Sequence, residues 1–129
     1  MSDQGAKTYV RVCVKCREPG EPKEPMEARA GARLMRALAA RGGVDYALVE
    51  VACFNVCNRA VTIAFSARGK WTYLFGGFSA AGGAAMDQTA AEIAAAARAY
   101  AASPDGFIPI DDRSPFLRGA LIARTPPVA

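Results

Sequence analysis

Hydrophobic and polar positions alternate most clearly near the start of the chain. Thr8-Tyr9-Val10-Arg11-Val12-Cys13-Val14 alternates and is rich in β-branched residues, which predicts a first strand. The next stretch, Arg17 to Pro25, holds three prolines and a glycine and excludes regular structure. The period then changes. From Met26 to Arg41 the apolar positions Ala30, Leu34, Ala37 and Leu38 recur at helical spacing, with Pro25 before them and Gly42-Gly43 after. This predicts a helix over 26–41. Arg29, Arg33 and Arg36 fall at the same spacing on a neighbouring face. A solvated helix surface is the first reading of these arginines, and a docking face for an acidic partner is the second.

Val44 to Ala52 predicts a second strand through Tyr46, Leu48, Val49 and Val51. Val61–Phe65 and Trp71–Phe75 predict a third and fourth, joined as a hairpin by Ala67-Arg68-Gly69-Lys70. Trp71, Tyr73 and Phe75 share one face of the fourth strand, a stripe that suits sheet packing better than a ligand platform. Gly76 to Asp87 is small and glycine-rich and reads as a loop; it carries no phosphate-binding pattern. Thr89-Ala90-Ala91-Glu92 has the form of a capping box, so the second helix is expected from there through Ala102, ended by Ser103-Pro104-Asp105-Gly106. The order is β-α-β-β-β-α, an α/β domain with a mixed four-stranded sheet. Residues 1–106 form the domain, and 107–129 form a C-terminal extension. That extension carries Phe107, Ile108, Ile110, Phe116, Leu117, Leu121 and Ile122. It is therefore expected to pack on the domain or on a dimer partner.

Composition narrows the function. A chain of 129 residues, 52% hydrophobic, is enough for one core. No apolar run reaches the roughly 18 residues of a membrane span, and the polar Met1–Lys7 has no signal-peptide core. These point to a cytoplasmic protein with no membrane association. The net charge of +4 is spread without a basic run, so no nucleic acid is expected as partner. Histidine is absent. That removes Cys2His2 zinc sites, Rieske centres, His-ligated haem and nucleophiles activated by histidine. The carboxylates and lysines that remain fall in no acid–base motif, so no independent enzymatic activity is expected.

The four cysteines carry the candidate chemistry. Cys13 and Cys16 form a CxxC after the first strand, and Cys53 and Cys57 form a CxxxC after the second. If the two strands are parallel and joined by the first helix, both pairs leave the same edge of the sheet. Four thiolates without another soft ligand suit an iron–sulfur cluster or zinc, and two dithiols suit redox exchange. In a reducing compartment, paired cysteines favour metal or catalysis over structural disulfides. Lys15, Arg17 and Arg59 stand near enough in sequence to offset cluster charge, and Val14, Phe54 and Val56 to exclude water. The dithiol reading wants a CxxC at a helix N-terminus, whereas here prolines follow Cys16 and the first helix is expected further on.

Tyr9–Cys16, Ala52-Cys53-Phe54-Asn55-Val56-Cys57 and the hairpin with Gly69-Lys70-Trp71 resemble the thioredoxin-like 2Fe-2S ferredoxins. These include small dimeric bacterial ferredoxins and the ferredoxin-like subunit of respiratory complex I. The chain is also similar to an uncharacterised bacterial family of predicted metal-binding proteins, sometimes encoded near cobalamin-synthesis genes. Phe116-Leu117-Arg118-Gly119 and Ala123-Arg124-Thr125-Pro126-Pro127 look like that family's tail. The resemblance implies a thioredoxin-like fold and a 2Fe-2S cluster on Cys13, Cys16, Cys53 and Cys57. It also implies a homodimer and electron transfer with a redox partner protein, with cobalamin synthesis as one setting; zinc on the same residues is the alternative. This chain has CxxC where the ferredoxins usually space their first pair more widely. It has Ala60 where they often place proline.

Overall fold

The computed structural model describes residues 7–17, 20–41, 46–52, 61–77, 83–108 and 115–127. It is α/β. Among the described residues five strands form one mixed sheet: β1 (Tyr9–Cys13), β2 (Ala47–Val51), β3 (Ile63–Ser66), β4 (Thr72–Phe75) and β5 (Leu121–Thr125). The described residues also form three α-helices, α1 (Ala30–Arg41), α2 (Gly83–Ala102) and α3 (Pro115–Ala120), with a 3-10 turn over Met26–Ala28.

The strand order is β2-β1-β3-β4-β5. β1 and β2 are parallel with Cys13 opposite Val51, the arrangement their connection through a helix requires. β3 runs antiparallel to both β1 and β4, and Gly69 supplies the positive φ of +75° in the hairpin between β3 and β4. β5 adds to β4 antiparallel, with an irregularity between Leu74 and Phe75. The sheet therefore has one strand more than the sequence pattern suggests, and the extra strand comes from the C-terminal extension.

Register explains the core. Val10 and Val12 face Phe65 and Ile63, which in turn face Tyr73 and Phe75, so all six share one side of the sheet. All six are fully buried with Leu34 and Leu38 of α1 and Ile93, Ala97 and Tyr100 of α2. Tyr73 and Phe75 stack at 5.8 Å, and Tyr100 meets Tyr73 edge-on at 6.2 Å. The alanines of α2 leave room for close approach: Ala90, Ala94, Ala96 and Ala97 are all buried.

Two helix boundaries differ from expectation. The 26–41 segment is not one helix. Arg29 is extended (φ −67°, ψ 154°) between the 3-10 turn and α1, so it leaves the helical face that Arg33 and Arg36 occupy. Helix α2 begins at Gly83, ahead of the Thr89 capping pattern, and Thr89 is buried within it. Ala84, Ala85 and Met86 are strong helix formers, and Met86 anchors the early turn in the core. Residues 78–82 of the expected glycine-rich loop, and Val44 and Asp45 of the expected second strand, lie outside the described residues.

Candidate metal centre

β1 ends at Cys13, and the chain turns through Val14 and Lys15 to Cys16. Backbone bonds fix this turn from two sides. The Cys13 N–H donates to the Thr62 carbonyl at 3.0 Å, and the Val14 N–H donates to the Val51 carbonyl at 3.0 Å. The turn thus joins the end of β2 to the approach to β3, the two places where the chain enters and leaves the segment holding Cys53 and Cys57.

Helix α1 supplies the third side. The Gly31 N–H donates to the Cys16 carbonyl at 3.0 Å. A Cβ at Gly31 would lie 1.9 Å from the Cys13 carbonyl oxygen, so only glycine lets the first turn of α1 come this close. The sequence separates α1 from Cys16 by a proline-rich stretch, yet in space the N-terminus of α1 meets the cysteine turn. The distance along the chain that counted against a dithiol is not a distance in the fold.

Polar ties hold the intervening stretch. Glu21 accepts from the Ala30 N–H at 2.9 Å, capping α1, and pairs with Arg33 at 2.6 Å. Arg17 donates to the Glu21 carbonyl at 2.9 Å. Arg29 donates from Nε to the Lys23 carbonyl at 2.8 Å and from Nη1 to the Lys15 carbonyl at 3.2 Å. Arg33 also reaches the Ala28 carbonyl. Two of the three arginines read from the sequence as a surface stripe therefore bind the chain's own backbone and Glu21. Arg36 is exposed.

Both thiols are free and buried. Cys13 Sγ lies 3.6 Å from the Ala52 carbonyl, and Cys16 Sγ lies 3.6 Å from Thr62 Oγ1. The hydrogen bond from Cys16 draws the Cys13 thiol down to about 6, helped by the Lys15 and Cys16 amides and Thr62 and opposed by burial. The same contact, with burial, pushes Cys16 up. The two thiols are thus shifted in opposite directions, Cys13 down and Cys16 up, a pairing that suits a soft-metal ligand pair or a nucleophilic dithiol.

Cys53 and Cys57, with Phe54, Val56 and Arg59, lie outside the described residues. Among the described residues no group of three or more His, Cys, Asp or Glu gathers as a metal site; these residues include only two of the four cysteines. Lys15 is exposed, and its carbonyl is the acceptor for Arg29. No described helix is long and apolar enough to cross a membrane.

Sequence reasoning missed Gly31, Thr62, Glu21 and the backbone role of Arg29. Thr62 had a signal, since a threonine beside a strand that follows a cysteine loop can donate to sulfur. Gly31 had one too, as a glycine within the expected helix over 26–41. No curated protein and no solved structure is detectably similar to the chain. A family match covers residues 10–127, nearly the whole chain and both cysteine pairs: the protein belongs to DUF1636, a family described as of unknown function.

Proposed function

We propose that this protein carries a 2Fe-2S cluster on Cys13, Cys16, Cys53 and Cys57 and passes single electrons to or from a partner enzyme. One observation carries the reading. The described residues that flank the second cysteine pair already touch the sulfurs of the first. Ala52, bonded directly to Cys53, has its carbonyl 3.6 Å from Cys13 Sγ, and Thr62, a few residues after Cys57, has its hydroxyl 3.6 Å from Cys16 Sγ. The segment with the second pair thus starts and finishes at the first pair, and four thiolates around one centre is the donor set such clusters require. The order β2-β1-β3-β4, with β1 and β2 parallel and the hairpin antiparallel, supports a thioredoxin-like layout with β5 added at its edge.

The cluster would supply the one-electron couple. The chain's part is to hold four thiolates and to keep water away, with Thr62 as a hydrogen-bond donor to sulfur. Zinc on the same four thiolates is the competing occupant, since soft ligands accept both. Anaerobic purification, an absorption spectrum and analysis for iron, zinc and acid-labile sulfide decide between them. Iron and sulfide in equal amounts with a brown colour are expected. Colourless protein with stoichiometric zinc and no sulfide, even after reconstitution, would reject the cluster. The assembly expected from the ferredoxin resemblance is a homodimer, and light scattering at 13.5 kDa would reject it.

A second reading, a thiol–disulfide redox protein, is favoured by the contact of α1 with the CxxC turn through Gly31 N–H and the Cys16 carbonyl. Its mark would be a metal-free protein that cycles between a Cys13–Cys16 disulfide and the dithiol with a dithiol reductant.

A further inference from the structure

The segment before α1 is ordered without a core of its own. Pro22 to Ala28 is exposed, the 3-10 turn within it buries no residue, and Met26 is 40% exposed. Polar ties therefore fix its position, and the tie that reaches the cysteines is Arg29. Because Arg29 is extended where the chain passes from the 3-10 turn to α1, its side chain leaves the helical stripe and turns back to the CxxC loop. Its guanidinium spans two carbonyls on separate segments, Lys23 at 2.8 Å and Lys15 at 3.2 Å. Lys15 lies between the two cysteines, so the fork grips the turn at its middle. Arg29 also begins the α1 contact through its neighbours: Ala30 N–H is capped by Glu21, and Gly31 N–H holds the Cys16 carbonyl.

The geometry points to Arg29 as the positioning residue of the CxxC turn. By holding the Lys15 carbonyl, it fixes the turn that sets Cys13 Sγ 3.6 Å from the Ala52 carbonyl and Cys16 Sγ 3.6 Å from Thr62 Oγ1. It also places a permanent positive charge on the Lys15 carbonyl, in the turn between the two cysteines. A planar fork with fixed donors can bridge two carbonyls, whereas an ammonium on a flexible stem holds one at a time. Lysine at this position therefore keeps the charge and loses the bridge.

The test uses Arg29→Gln and Arg29→Lys, with Arg36→Gln as an exposed, charge-matched control on α1. The first readout is the alkylation rate of Cys13 and Cys16 by iodoacetamide in metal-free, reduced protein, mapped by mass spectrometry. Both Arg29 variants should react several-fold faster than the native chain, because the turn opens locally more often; Arg36→Gln should match native. The second readout is the visible spectrum and reduction potential of iron-loaded protein. Both Arg29 variants should show an altered spectrum, and only Arg29→Gln should also lose the charge contribution to the potential. This readout alone rests on the cluster reading. A native protein that binds no iron rejects that reading and leaves the alkylation result to decide Arg29. Native alkylation rates in Arg29→Lys would overturn the positioning role in favour of charge alone. A lowered unfolding midpoint with native rates and spectrum would reduce Arg29 to a general stabiliser.

Discussion

At Gly31 a single missing carbon sets how near α1 comes to the cysteine turn, since any Cβ would overlap the Cys13 carbonyl. A glycine within a helix is readable in a sequence as a weak helix position, but the partner that demands it, Cys13, lies 18 positions back along the chain and is invisible in a one-dimensional pattern. Tyr100 is a second residue whose role comes from its surroundings. Its ring is buried between Phe65 and Tyr73, and its hydroxyl donates to the Trp71 carbonyl. Burial first, then Tyr73, pushes its phenol up to about 12. The unfolded phenol titrates near 10. Between those values the folded chain holds a proton that the unfolded chain has released, so stability falls as pH rises through this window. Lys70 works with the opposite sign: burial lowers its pKa, so the unfolded chain binds protons first as pH falls, and stability rises with pH there. Comparing native protein with Tyr100→Phe isolates the phenol. At neutral pH the variant should be less stable by about 1 kcal/mol through the lost hydrogen bond. Denaturant titrations at increasing pH should show the gap closing above about pH 10. A gap constant up to pH 12 would assign Tyr100 no proton linkage.

Among the elements, those with an unmixed period were the most legible. β1, β3 and β4 follow alternation or β-branched composition, and α1 ends at Arg41 as its stripe predicts. The segment Leu121–Thr125 does not alternate cleanly, and its residues are half-buried or exposed, so its apolar content indicated packing without indicating a strand. What holds β5 is β4. Arg124 lies over Trp71 at 4.8 Å and over Phe107 at 4.9 Å, a guanidinium between two rings from two other parts of the chain. Cation–π contacts at partly exposed sites contribute about 0.5–1 kcal/mol each. Arg124→Ala should therefore cost about 1–2 kcal/mol, expressed mainly as faster hydrogen exchange along β5. Trp71 is the only tryptophan, so its emission reports the change directly. An emission spectrum and β5 exchange rates identical to native would show that strand pairing alone holds the extension. Arg124→Lys separates the cation from the stacked plane and should recover only part of the loss.

In the whole molecule, the sheet brings the ends of β1 and β2 together and so sets the candidate site. The parallel pairing of β1 and β2 was legible, because strands joined by a helix run the same way, and it puts Cys13 opposite Val51 at the end of β2. The supports were not legible, because Thr62 and Arg29 reach the CxxC turn, and Glu21 the start of α1, only through tertiary contacts. If four thiolates from both strand ends share one metal centre, the centre ties β1, β2 and the approach to β3 together. A ligand bound only by the folded state then stabilises the fold by RT ln(1 + [L]/Kd), about 2.7 kcal/mol at a hundredfold excess over Kd. Loaded protein should therefore melt above metal-free protein. Serine is a harder, poorer donor than cysteine, so Cys13→Ser, Cys16→Ser, Cys53→Ser and Cys57→Ser should each lose metal and most of that gain. In metal-free form Cys13→Ser and Cys16→Ser should melt close to the metal-free native chain, because a buried cysteine exchanged for serine costs only modest packing. Calorimetry with metal analysis on the four variants reads both quantities together. If only Cys13→Ser and Cys16→Ser lose metal and stability, the second pair lies outside the site. If Cys57→Ser alone keeps its metal, its spectrum and the full loaded-state gain, Cys57 is not a ligand. If none of the four lowers metal content, the metal sits elsewhere and the thiol–disulfide reading takes the CxxC turn.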